Sequence, residues 1–253
     1  MLIAPGYAVW QDPPVIIIRD PGELLLAAAR NNAEWCDAVV RGHGAAGEFT
    51  PDAWTSARRT PLLYPDAVSL APGASAAGLV AAIDTDGPGC SVKDSFADLD
   101  LTGDGFEVLF EARWIHRPAG APAASGSRLE WSEVTTADEL EAWEAAWGGE
   151  RSTGLFHPAL LRHGIVFLAG RADGRIVAGA VANRGGDPVV GLSNLFAHDG
   201  SDTDAAWAGA LTAIATRWPG LPVVGYEAGD DLAAAVRAGF TPLGPLRVWL
   251  HTA

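Results

Sequence analysis

The 253 residues suffice for one large or two small domains with a real core. At 49% apolar and 19% charged, with no apolar run of 18, the chain is neither disordered nor marked by a membrane-spanning helix. A net charge of −14, with Lys93 the single lysine, turns away nucleic acid and anionic membrane and favours cationic partners such as amines.

Met1-Leu2-Ile3-Ala4-Pro5 lacks the basic start and apolar core of a signal peptide, so the chain reads as cytoplasmic, with Cys36 and Cys90 expected reduced and buried. Asp20-Pro21-Gly22-Glu23 is a helix start, with an N-cap acid, proline at the first helical position and glutamate at the third. The helical pattern then runs, with a break expected near Asn31-Asn32, to the glycines at 42, 44 and 47. Arg41-Gly42-His43-Gly44-Ala45-Ala46-Gly47 imitates phosphate-binding motifs, but no strand precedes it and no helix follows directly, so it reads as a helix end. Thr50-Pro51-Asp52 predicts a short helix carrying Trp54, Tyr64–Leu70 a strand, and Ser75–Ile83 a helix. Two strands follow, near 90–97 and 105–116, separated by Asp98–Asp104, an acidic segment that reads as a turn rather than a calcium loop because Leu109 stands where the twelfth-position glutamate belongs.

Residues 117–127, rich in Pro, Ala, Gly and Ser, form the clearest boundary. Beyond it come a strand at Leu129–Val134, a capping box at Thr136-Ala137-Asp138-Glu139, and a helix placing Leu140, Trp143 and Trp147 on one apolar face. Ile165–Arg171, Ile176–Asn183 and Val189–Phe196 alternate with Asp-Gly and Gly-Gly turns as an antiparallel meander. A helix near Asp204–Arg217, a strand at 222–227, a helix at 230–238 and a strand at 242–251 complete the chain. Gly105-Phe106 leads into a strand ending Trp114-Ile115-His116, and 134 positions later Gly239-Phe240 leads into one ending Trp249-Leu250-His251. Such a long period points to two related units, 1–116 and 128–253.

The second half's element order, with Ala235-Val236-Arg237-Ala238-Gly239-Phe240 before the last strand, resembles the GCN5-related N-acetyltransferase (GNAT) superfamily. The resemblance implies an α+β fold, a mixed central sheet flanked by helices, here duplicated with a divergent N-terminal copy. It implies acetyl-CoA as co-substrate, held in the slot where the fourth and fifth strands splay and at the start of the next helix. Carried onto this chain, those positions are Asn194, Leu195, Phe196, Ala197, His198, Gly200 and Ser201. The family's pyrophosphate loop reads Arg/Gln-x-x-Gly-x-Gly/Ala; here Ala197–Asp204 has one glycine and three aspartates. The family's acidic tyrosine, five residues before the phenylalanine of Gly-Phe, is Ala235.

Aminolysis of a thioester needs a base for the amine proton and N–H donors for the oxyanion. Glu227, at the end of the fifth strand, is the candidate base. Two readings follow. One is N-acetyl transfer to a small-molecule or peptide amine by direct attack; the other is a GNAT-derived binding protein without catalysis. Neither involves nucleic acid, membrane or a metal, and a homodimer is compatible with both.

Overall fold

The computed structural model describes residues 20–121, 129–149, 152–198 and 202–252. The Val15–Ile18 run, most of the 117–127 connection, Gly200 and Ser201 lie outside them. Helix α1 (Pro21–Gly42) starts where the cap motif predicts, with the Asp20 carboxylate accepting from Gly22 N–H at 3.0 Å. It does not break at Asn31-Asn32. Both side chains have partners across the fold that repay their poor helix propensity: Asn31 and Asn183 exchange amide-to-carbonyl hydrogen bonds at 3.3 and 3.2 Å, and Asn32 receives Lys93. The glycine-rich stretch after it is a helix end, as expected, with α1 stopping at Gly42.

The helix expected at Thr50-Pro51-Asp52 is instead a turn between strands β1 (Glu48–Phe49) and β2 (Ala53–Thr55). Thr50 Oγ1 accepts from the N–H groups of Asp52 and Ala53 at 3.3 and 3.0 Å. The same hydroxyl-to-backbone bond that starts a helix also closes a tight turn, and no apolar face followed to decide for a helix. Trp54, on β2, is fully buried and donates to Asp37 at 3.1 Å.

Strand β3 (Ala67–Ser69), helix α2 (Ala76–Ala81), β4 (Ser91–Asp94) and β5 (Phe106–Arg117) complete the first half, with a one-turn 3-10 helix at Thr102–Asp104 in the acidic turn. The second half runs β6 (Glu130–Glu133), α3 (Ala137–Gly148), β7 (Ile165–Ala172), β8 (Arg175–Asn183), β9 (Val190–Ala197), α4 (Thr203–Arg217), β10 (Val223–Glu227), α5 (Gly229–Arg237) and β11 (Thr241–His251). The capping box on α3 forms in full, and Leu140 and Trp143 are core residues against Phe156, Phe167 and Phe196. Cys36 and Cys90 are free and buried.

The eleven strands among the described residues join one sheet, in the order β1-β2-β3-β4-β11-β5-β10-β9-β8-β7-β6. The final strands are exchanged: β5 pairs with β10 of the second half, β11 pairs with β4 of the first, and β5 and β11 pair with each other. Helices α1 and α3 share a core on one face of the second-half strands. Residues of α4 and α5 share a separate core with those strands. No helix among the described residues is long and apolar enough to cross a membrane.

Candidate active site

The site begins where a ladder ends. Parallel strands β9 and β10 pair only at Val190/Val223 and Gly191/Val224. Beyond those pairs they diverge. Gly225 sits at the fork, where a Cβ would lie 2.7 Å from the Leu192 carbonyl oxygen, so only glycine fits. On β9 the register against β8 shifts by one residue between Gly179 and Val181, and Asn194 takes a left-handed φ of 52°. This bulge turns the backbone of Asn194-Leu195 out of regular pairing at the mouth of the fork.

A cavity of about 220 Å³ opens there, lined by Leu192–Leu195 of β9, Tyr226 and Glu227 of β10, and first-half residues that include Asn32, Trp35, Cys36, Tyr64 and Lys93. Of the residues expected to hold the cofactor, Asn194 and Leu195 line this cavity together with Glu227. Phe196 and Ala197 stay in the ladder opposite Gly179 and Ala178, and the Phe196 ring packs on Trp143. His198 donates its N–H to Val177 at 2.9 Å and sets its ring against Phe196.

Glu227 also borders a second cavity, of about 390 Å³, beside Ala228 and Leu232. Burial, with a smaller push from Asp231, raises its pKa to about 7. Its carboxylate accepts no hydrogen bond among the described residues. A carboxylate poised near neutrality and open to a cavity is suited to taking a proton.

The first half supplies what the sequence reading missed. Lys93 is 4% exposed, donates to Asn32 Oδ1 at 2.6 Å and Tyr226 Oη at 3.3 Å, and lies 4.5 Å from the Tyr226 ring centre. Burial alone pushes its pKa down, but the Tyr226 phenol and Cys36 thiol more than offset this, so it stays an ammonium. Burial raises the Cys36 thiol and holds the Tyr64 phenol well above its usual range, leaving both protonated. The Asn194 and Trp35 side chains beside the Tyr64 phenol temper this rise, and neither Tyr64 Oη nor Ser193 Oγ, both buried, makes a hydrogen bond of regular geometry. Two signals for this cluster were available: a lone lysine in an acidic chain, and paired asparagines inside a helix.

At the start of α4, Asp202 caps the helix by accepting from Asp204 N–H at 2.9 Å, and Asp204 is paired with Arg237 at 2.8 Å. Ala235 is fully buried in the core of the α4 and α5 face, so no phenol occupies that point.

The forked parallel pair, the bulge on its first strand and the helix after it set the chain beside known structures. A GCN5-related N-acetyltransferase from Kribbella flavida superposes over 89% of this chain and 96% of its own, with a TM-score of 0.62 at 18% identity. The chain has the GNAT fold. A putative acetyltransferase of the GNAT family from Novosphingobium aromaticivorans matches over 89% and 99% of the two chains, with a TM-score of 0.56 at 16% identity. A functionally unknown conserved protein from Staphylococcus epidermidis matches over 65% and 72%, with a TM-score of 0.52 at 11% identity. No protein-family model matches the sequence, and no curated protein matches it. At 89% coverage, each of the first two GNAT-fold matches takes in residues of both halves of the chain.

Proposed function

We propose that the protein is an acetyl-CoA-dependent N-acetyltransferase acting on a small amine by direct transfer in a ternary complex. The observation that carries this reading is the fork of β9 and β10, with a bulged backbone on one side and Glu227, raised to about 7, on the other. In the fork, backbone N–H groups around Asn194-Leu195 polarise the thioester carbonyl and then hold its oxyanion. The amine nitrogen forms a bond to that carbon, its proton passes to Glu227, and the carbon–sulfur bond breaks. With Ala235 in place of a phenol, the thiolate leaves without an acid from α5 and takes its proton from solvent.

A second reading, a GNAT-fold binding protein without catalysis, rests on the Asp202 cap, which puts a carboxylate on an N–H group at the start of α4, where the fold would receive pyrophosphate. Calorimetric titration of acetyl-CoA, with CoA and ADP as controls, separates the two. Micromolar one-to-one binding followed by amine-dependent thiol release supports transfer. Absence of binding at millimolar acetyl-CoA sinks it and leaves the second reading.

A further inference from the structure

Lys93 carries the single lysine charge of the chain into a nearly sealed place, where its two hydrogen-bond partners, Asn32 and Tyr226, offer no carboxylate. No ion pair among the described residues includes it; Glu227 borders the same cavity, but its carboxylate makes no ion pair with the ammonium. A buried ammonium without a counter-ion is costly, and folded proteins seldom keep one idle. Two further polar groups on the same cavity wall, Tyr64 Oη and Ser193 Oγ, are buried with no partner. Both are hydroxyls able to donate, because Tyr64 stays protonated. Three donors, one of them charged, therefore belong to residues that line one space, with no anion of their own to receive them. Its volume of about 220 Å³ is enough for a molecule of amino-acid size.

We infer that this cavity takes the carboxylate of the acceptor, which makes the acceptor a small amino acid: its carboxylate binds Lys93, Tyr64 and Ser193, and its amine is presented to Glu227. The inference rests on the acetyltransferase reading for the fate of the amine, but the anion site stands on its own contacts. It also resolves the electrostatics of recognition. A zwitterion suits a cavity holding one ammonium and one carboxylate inside an otherwise acidic protein, whereas a simple amine leaves Lys93 unanswered.

The test compares matched acceptors that differ by a carboxylate, β-alanine against ethylamine and 4-aminobutyrate against propylamine, at equal concentrations of neutral amine and saturating acetyl-CoA. At least a tenfold higher kcat/KM for the amino acids is expected, and that preference should collapse towards one in Lys93→Met. Asn32→Asp, which places a fixed carboxylate on the ammonium, should collapse it as well without removing the lysine. A ratio near or below one in the unaltered protein overturns the inference. A second arm needs no turnover: propionate titrated into the protein alone should quench tryptophan fluorescence through Trp35, and Lys93→Met should abolish the response. Propionate binding that depends on Lys93, with no amine acetylated, keeps the anion site and removes the transferase. Acetylation without propionate binding or carboxylate preference does the reverse.

Discussion

Strands β4 and β10 each end on a carboxylate, beside the two parallel junctions of the sheet, yet the two acids have opposite fates. Asp94 closes β4 fully buried, and the N–H groups of Phe96, Asp98 and Leu99 fold back onto it at 3.3, 3.3 and 3.0 Å. Glu227 closes β10 half-buried, with the chain leaving through Ala228 into α5 and no N–H turned back. Asp94 spends its lone pairs on its own loop and is architectural. Glu227 keeps its lone pairs for a cavity and titrates near 7. What separates a carboxylate tied into its own loop from one left open to a cavity, at equivalent places in a sheet, is whether the next few residues satisfy it.

Breaking the architectural acid should have the largest effect. Asp94→Ala strands the N–H groups of Phe96, Asp98 and Leu99, the last of them buried, and should cost about 3–5 kcal/mol in urea unfolding. Glu227→Gln should lower kcat/KM by about a hundredfold while acetyl-CoA affinity holds, and should erase a rising limb of the pH profile near 7. Unchanged turnover would remove Glu227 from the mechanism. The same variant should be more stable than the parent at pH 8. Because the folded pKa of Glu227 is raised from 4.5 to about 7, the folded state holds its proton more tightly than the unfolded chain. That stabilisation is full below 4.5 and lost as pH climbs through 7, so Glu227→Gln should gain about 1–3 kcal/mol at pH 8 and little at pH 4. The smallest effect belongs to the α4 cap. Asp202→Ser keeps a capping oxygen but drops the charge, and should tighten acetyl-CoA by about fivefold at most. An unchanged affinity would mean that the phosphates do not approach that helix.

The second half was readable in sequence because its signals are local. The hairpin turns, the capping box on α3 and the strand ending in Glu227 each depend on a few adjacent residues, and all stand within a residue or two of their expected places. The first half misled where one local chemistry serves two structures, as at Thr50, or where a distant partner overrides propensity, as at Asn31-Asn32. The Lys93 cluster left its separate signals in the sequence but could not be assembled from them, for a different reason. Its ammonium meets Asn32 across 61 positions and Tyr226 across 133, and no window of sequence holds all three. The exchange of final strands was equally hidden, since two matching strand patterns do not say which neighbour each will choose.

That exchange sets an order of assembly. Strand β4 is made early, but the strand that covers its open side, β11, ends at His251. A chain emerging from the ribosome thus holds a first half that cannot finish its sheet until nearly all of the second has appeared. Until then the edge of β4 is an unpaired template, open to any extended segment nearby. The cavity inherits this timing, because Lys93 stands on β4 and Glu227 on β10: the site comes into being only when the two halves have traded strands.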